Sequence, residues 1–191
     1  MTDNKRKFKT ISYNLELRSD AINNFVKKQL PSLIGGLGRI AQLLVLTKND
    51  KEVNSAIKAL VKEVADKTQK ELELFDEKLN ALIEGVDLFS DEIEGPAQTY
   101  KIDIGHPILF EGIRIVKDIE ERALSVELFW LNGILTDEER ELAEKTLNTE
   151  IRRYVTSIYN ITNVKNREGG KYSAKAFLES LKQEKQDDKA A

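Results

Sequence analysis

The sequence predicts a mainly α fold in which one N-terminal β-strand precedes a bundle of long antiparallel helices. Three observations carry this: a period-two stretch near the N-terminus, apolar stripes at helical spacing over most of the remaining chain, and an Asn-Gly turn with a capping motif between the last two stripes. In the first, Ile11, Tyr13, Leu15 and Leu17 alternate with Thr10, Ser12, Asn14 and Glu16, after Lys9. Successive side chains of a strand leave on opposite sides, so this segment has one dry face and one polar face. A lone strand leaves backbone donors and acceptors unmet and must find a partner. The expected partner is the same strand of a second copy, antiparallel across a twofold axis, so that the strand pairs across a dimer; the alternative is a local strand at 101–104, where Lys101-Ile102-Asp103-Ile104 also alternates.

After the strand, Ser19 or Asp20 caps a helix reaching about Leu30, with Ile22, Phe25, Val26 and Leu30 on one face. Pro31 ends it, 32–36 reads as a turn, and a second helix over 37–46 presents Arg39 beside Ile40, Leu43, Leu44 and Leu46. Residues 51–87 form a long amphipathic helix whose stripe runs through Val53, Ile57, Leu60, Val64, Leu72, Phe75, Leu79, Leu82 and Val86. The step from Val64 to Leu72 interrupts it, which favours antiparallel packing within one domain over a long coiled coil. An acidic loop over 90–96 and an extended connector at Gly105-His106-Pro107 lead to a helix over 107–131, carrying Leu109, Ile113, Val116, Ile119, Ala123, Val126 and Trp130. Asn132-Gly133 ends it, Thr136 with Glu139 forms a capping box, and the last long helix shows Leu142, Ala143, Leu147, Ile151, Tyr154, Ile158 and Ile161. Past Asn163 the chain turns polar, with a weak helix near 173–181 and a tail read as largely disordered.

Composition bounds the function. At 191 residues and 40% apolar content the chain can bury a sizeable core. It has no cysteine, which removes disulfides, thiolate nucleophiles and Cys-based metal sites and fits a reducing, cytoplasmic location. The first residues are charged and no run of 18 apolar residues occurs, so neither secretion nor membrane spanning is expected. The net charge of -3 is unevenly spread, because residues 1–48 hold nine Lys and Arg against three acids. A basic strand-bearing end on an acidic remainder suits a nucleic-acid-binding head on a self-associating body.

No constellation for catalysis stands out, so no enzyme activity and no cofactor are expected. His106 is the single histidine and reads as a connector residue. The carboxylate clusters at Glu71, Glu73, Asp76 and Glu77, and at Asp118, Glu120 and Glu121, read as wet helix faces rather than Mg²⁺ sites. Gly35-Gly36-Leu37-Gly38 lacks the Lys-Ser/Thr of a phosphate loop and reads as turn punctuation, and Phe129 and Trp130 read as packing. What remains is the polar strand face. Thr10, Ser12 and Asn14 are short donors and acceptors able to touch base edges, and Arg6, Lys7, Lys9, Arg18 and Arg39 can meet phosphates.

The order strand, helix, turn, helix, with those three short polar residues along the strand, resembles the ribbon-helix-helix DNA-binding module of the MetJ, Arc and CopG type. A wider set looks like the AcaB-type regulators of conjugative plasmids and integrating conjugative elements: Ile34 to Ala41 with its glycines, Gly95-Pro96, His106-Pro107, Asp118, and Leu131-Asn132-Gly133-Ile134-Leu135. These resemblances imply a DNA-binding element over 1–48, a helical and dimerising body over 49–165 and a tail over 166–191. They imply a homodimer that binds double-stranded DNA in the major groove with a two-stranded ribbon and regulates transfer-gene transcription, with the transcription machinery as a further partner. The alternative is a non-enzymatic helical scaffold or adaptor that binds a protein through its acidic helices, its strand merely completing a small sheet.

Overall fold

A computed structural model describes residues 9–83, 85–86, 88–90, 93–162, 174 and 177–179. In chain order they form β1 (Ile11–Leu17), α1 (Asp20–Leu46), α2 (Lys51–Ile83), β2 (Gln98–Ile104), α3 (Leu109–Leu131) and α4 (Asp137–Ile161). The mainly helical class, with a two-stranded antiparallel sheet at one end of a helical body, is as the periodicity predicts. α1, α3 and α4 pack on one another, and α2 lies against α3 and α4.

The partner of β1 corrects one expectation. It is β2 of the same chain rather than a second copy, in an antiparallel register that sets Ile11 against Ile104, Tyr13 against Ile102 and Leu15 against Tyr100. The reason is legible in β2, which alternates with the same phase: Tyr100, Ile102 and Ile104 turn inward while Thr99, Lys101 and Asp103 stay in water. Leu15, Leu17, Ile102 and Ile104 are buried, and each contributes roughly 1.5–3 kcal/mol by leaving water. Tyr13 meets Phe110 of α3 edge to face, with ring centroids 5.9 Å apart, which docks the ribbon on the body.

The second correction concerns Pro31. It neither ends a helix nor precedes a turn, because α1 runs unbroken from Asp20 to Leu46. Pro31 faces solvent, so water can satisfy the carbonyl one turn earlier that its missing N–H leaves open. The buried stripe meanwhile continues through Val26, Leu33, Leu37, Ile40 and Leu44, and that burial outweighs the local break. Gly36 serves packing rather than a turn, and so does Gly112 of α3, while Gly35 and Gly38 lie on open helix surface. A Cβ on Gly36 would lie 3.2 Å from Cγ2 of Ile158 on α4, and one on Gly112 of α3 would lie 2.5 Å from Cδ1 of Leu37, so bare backbone lets α4 and α3 approach α1. By length and composition alone the 27-residue α1 could also cross a membrane, whereas two short helices could not; 39% of its apolar window is buried here against the other helices.

In α2 the interrupted stripe is completed by small residues. Ala65 and Thr68 are buried between Val61 and Leu72, and Thr68 satisfies its hydroxyl on the Val64 carbonyl at 3.0 Å. The α3–α4 turn forms as the Asn-Gly pair predicts: Ile134 N–H reaches the Phe129 carbonyl and Gly133 N–H the Trp130 carbonyl, both at 2.9 Å, with Gly133 at φ 72°. Thr136 and Glu139 make the reciprocal capping box. Within the stretch read as a tail, Ala174 and Phe177–Glu179 are helical and Phe177 is buried in the core; the rest of 166–191 lies outside the described residues.

Candidate nucleic-acid interface

The outward face of the ribbon is built by two strands. Ser12 stands opposite Asp103, Asn14 opposite Lys101 and Glu16 opposite Thr99, and all six are exposed. Sequence reasoning named Ser12 and Asn14 but missed Thr99, Lys101 and Asp103, although the alternation at 100–104 was the available signal. Ser12 Oγ lies 3.5 Å from Asp103 Oδ1, and the remaining groups are open to solvent. Lys101 and, at the entry to β1, Lys9 offset Glu16 and Asp103 in formal charge, so the face is polar rather than strongly basic. Its donors suit acceptor-rich base edges, and its carboxylates can accept from a cytosine amino group.

The ribbon is rigidly mounted where it meets α1. Asn23 Nδ2 donates to the Leu17 carbonyl at 3.3 Å, and Glu120 of α3 accepts the backbone N–H groups of Arg18 and Ser19, the latter at 2.9 Å. Ser19 occupies the N-cap position of α1 without capping through its side chain; its hydroxyl donates instead to Glu127 Oε1 at 2.7 Å. Burial pushes the carboxyls of Glu120 and Glu127 above their ordinary range, partly offset by these hydrogen bonds. Glu120 is therefore a structural residue rather than part of a solvated face. Asp76 is another, because it takes a two-pronged contact from Arg122 at 2.8 and 2.6 Å and ties α2 to α3.

The other sequence-derived candidates are dispersed. Thr10 and Lys9 lead into β1, with Thr10 bordering a small depression shared with Gly105, His106 and Phe110. Arg18 shares a shallow hollow with Ile93, Glu94 and Gly95 at the opposite end of the ribbon. Arg39 sits on α1 with its guanidinium 4.6 Å from the Tyr159 ring centre, inside the α1–α4 contact rather than beside the strand face. Arg6 and Lys7 lie outside the described residues. Among the described residues no group of three His, Asp or Glu side chains is placed to hold a metal ion.

The fold is similar to that of AcaB from uropathogenic E. coli. The crystal structure of selenomethionine-containing AcaB superposes with a TM-score of 0.65 at 18% sequence identity, covering 80% of this chain and 78% of AcaB. At that identity the likeness to AcaB is one of fold. No family model and no curated protein matches the sequence.

Proposed function

We propose that this chain is a sequence-specific DNA-binding transcriptional regulator of mobile-element transfer genes that acts as a homodimer. The observation that carries the reading is the two-stranded ribbon held on a rigid helical body with its short polar side chains turned outward. The AcaB-like fold and the basic N-terminal end support it. Thr10, Ser12 and Asn14, joined by Thr99 and Lys101, touch base edges, while Arg6, Lys7, Lys9 and Arg18 supply phosphate contacts and Arg39, held in the α1–α4 contact, is left out of the interface. The mechanism is occupancy of an operator rather than chemistry. Among the described residues each strand of the ribbon has one partner, which leaves the outer edge of β1 for the same edge of a second copy.

Selection of bound sequences from a random duplex pool by the full-length protein at ~150 mM salt, where surface contacts are screened, tests this. A recovered palindromic or repeated motif, lost on combined substitution of Thr10, Ser12 and Asn14 by Ala, is the expected result. No enrichment by a folded protein would turn attention to the adaptor reading. One observation favours that second reading: Leu74, Leu82 and Leu142 stand exposed along a groove between α2 and α4 that Glu71, Glu139 and Lys78 also line.

A further inference from the structure

A cleft of about 750 Å³ opens between the α1–α2 connection, the N-terminal half of α2 and the β2–α3 connector. Nothing in the ribbon reading uses it. Lys48, Lys58, Lys62 and Arg114 line it, against the carboxylates of Asp66 and Glu111. Glu111 is already engaged by Arg114 in an ion pair one turn away on α3. Lys58 and Lys62 are one turn apart on α2 and form no ion pair among the described residues, so with Lys48 they outnumber Asp66 and leave the lining net positive. Its floor is apolar, made by Leu44, Val61, Ala65 and Ile108.

His106 sits at the junction of this cleft and the depression that reaches Lys9 and Thr10. Its Nδ1 accepts the backbone N–H of Ile108 at 3.1 Å, which leaves the proton of the neutral ring on Nε2 as a donor. Burial and the Lys58 charge hold the ring below its ordinary pKa and therefore neutral near pH 7. The walls thus combine flexible ammonium donors, one neutral imidazole donor and an apolar bed.

We propose that this cleft binds a small phosphorylated ligand, with the phosphate groups held by Lys58 and Lys62 and an apolar or aromatic body resting on Leu44, Val61 and Ile108. The chemistry is that of a nucleoside phosphate: several negative charges on a compact group suit point-charge lysines, and a flat base suits the apolar floor. A concave, partly enclosed volume of this size fits a small molecule better than the convex backbone of a duplex. Because His106 and Pro107 border both hollows, an occupant of the cleft would lie beside the entry to β1.

Calorimetric titration of the full chain with ADP and with inorganic pyrophosphate, in the absence of DNA and with adenosine and ionic-strength-matched chloride as controls, tests the site independently of any DNA binding. Saturable one-to-one binding of ADP or pyrophosphate, at least about tenfold weaker in Lys58→Glu/Lys62→Glu, is the expected result, since two charged donors are replaced by carboxylates. Lys28→Glu/Lys145→Glu, on a separate surface between α1 and α4, should bind as the parent does. Absence of saturable binding by either phosphate probe overturns the proposal. Binding that survives the Lys58/Lys62 change, or that adenosine reproduces, overturns it as well.

Discussion

Glu120 on α3 accepts the backbone N–H of Ser19 at 2.9 Å, across 101 residues of sequence, and so closes the N-terminus of α1 with a side chain from another helix. The first N–H groups of a helix have no partner within it, and here a long-range carboxylate supplies one where a local cap does not. Glu120→Ala should lower unfolding free energy by about 1–3 kcal/mol in urea denaturation, because buried donors would be left unmet. Glu120→Gln keeps an acceptor oxygen and should lose clearly less. Equal losses in both variants would show that a neutral acceptor of the same volume cannot replace the carboxylate.

Stability should rise on mild acidification in part through Glu127. Its carboxyl is raised above the ordinary 4.5 by burial first, with Glu144, Glu120 and Asp20 adding repulsion. A carboxyl whose folded pKa exceeds its unfolded value binds its proton more tightly when folded, so stability falls as pH climbs from the unfolded value through the folded one. Glu127→Gln retains an acceptor for Ser19 and removes the charge. It should melt higher than the parent at pH 7, and the difference should fade as the pH approaches 4.5.

The glycines of α1 and α3 should answer oppositely to alanine. Gly35 has nothing within 4 Å of an added Cβ, so Gly35→Ala should stabilise by about 0.5–1 kcal/mol through helix propensity. Gly112→Ala would drive a methyl to 2.5 Å from Leu37 Cδ1 and should cost about 1–3 kcal/mol. Chemical denaturation of the two variants side by side reads both signs.

Pro31→Ala should stabilise by about 1 kcal/mol or more, because it restores a donor in the interior of α1 and removes a steric clash. Were 32–36 a turn between two helices, the same change would be close to neutral. Denaturation midpoints at constant slope distinguish the two.

Gly133→Ala should lose about 1–2 kcal/mol, since Gly133 holds φ 72° at the end of α3, where a side chain meets backbone crowding. Gly38→Ala, on open helix surface, is the internal control and should not lose stability.

Local chemistry made much of this fold readable. The capping box at Thr136 and Glu139, the left-handed Gly133 and the strand face of Leu15 and Leu17 are each set by residues within a few positions, so propensity and periodicity found them. On the candidate interface, Ser12 and Asn14 were legible for the same reason. Half of that face was not, because Thr99, Lys101 and Asp103 join it only through pairing across the whole of α1 and α2.

By itself, then, the sequence determined a mainly helical chain with an alternating N-terminal strand, the places of α2, α3 and α4 and the turn that joins the last two. Only the tertiary structure decided that β1 pairs with β2, that α1 passes through Pro31 unbroken and that Glu120 closes α1. Each of those outcomes depends on burial and hydrogen bonds between residues far apart in sequence, and such contacts override the local preferences that a linear reading can weigh.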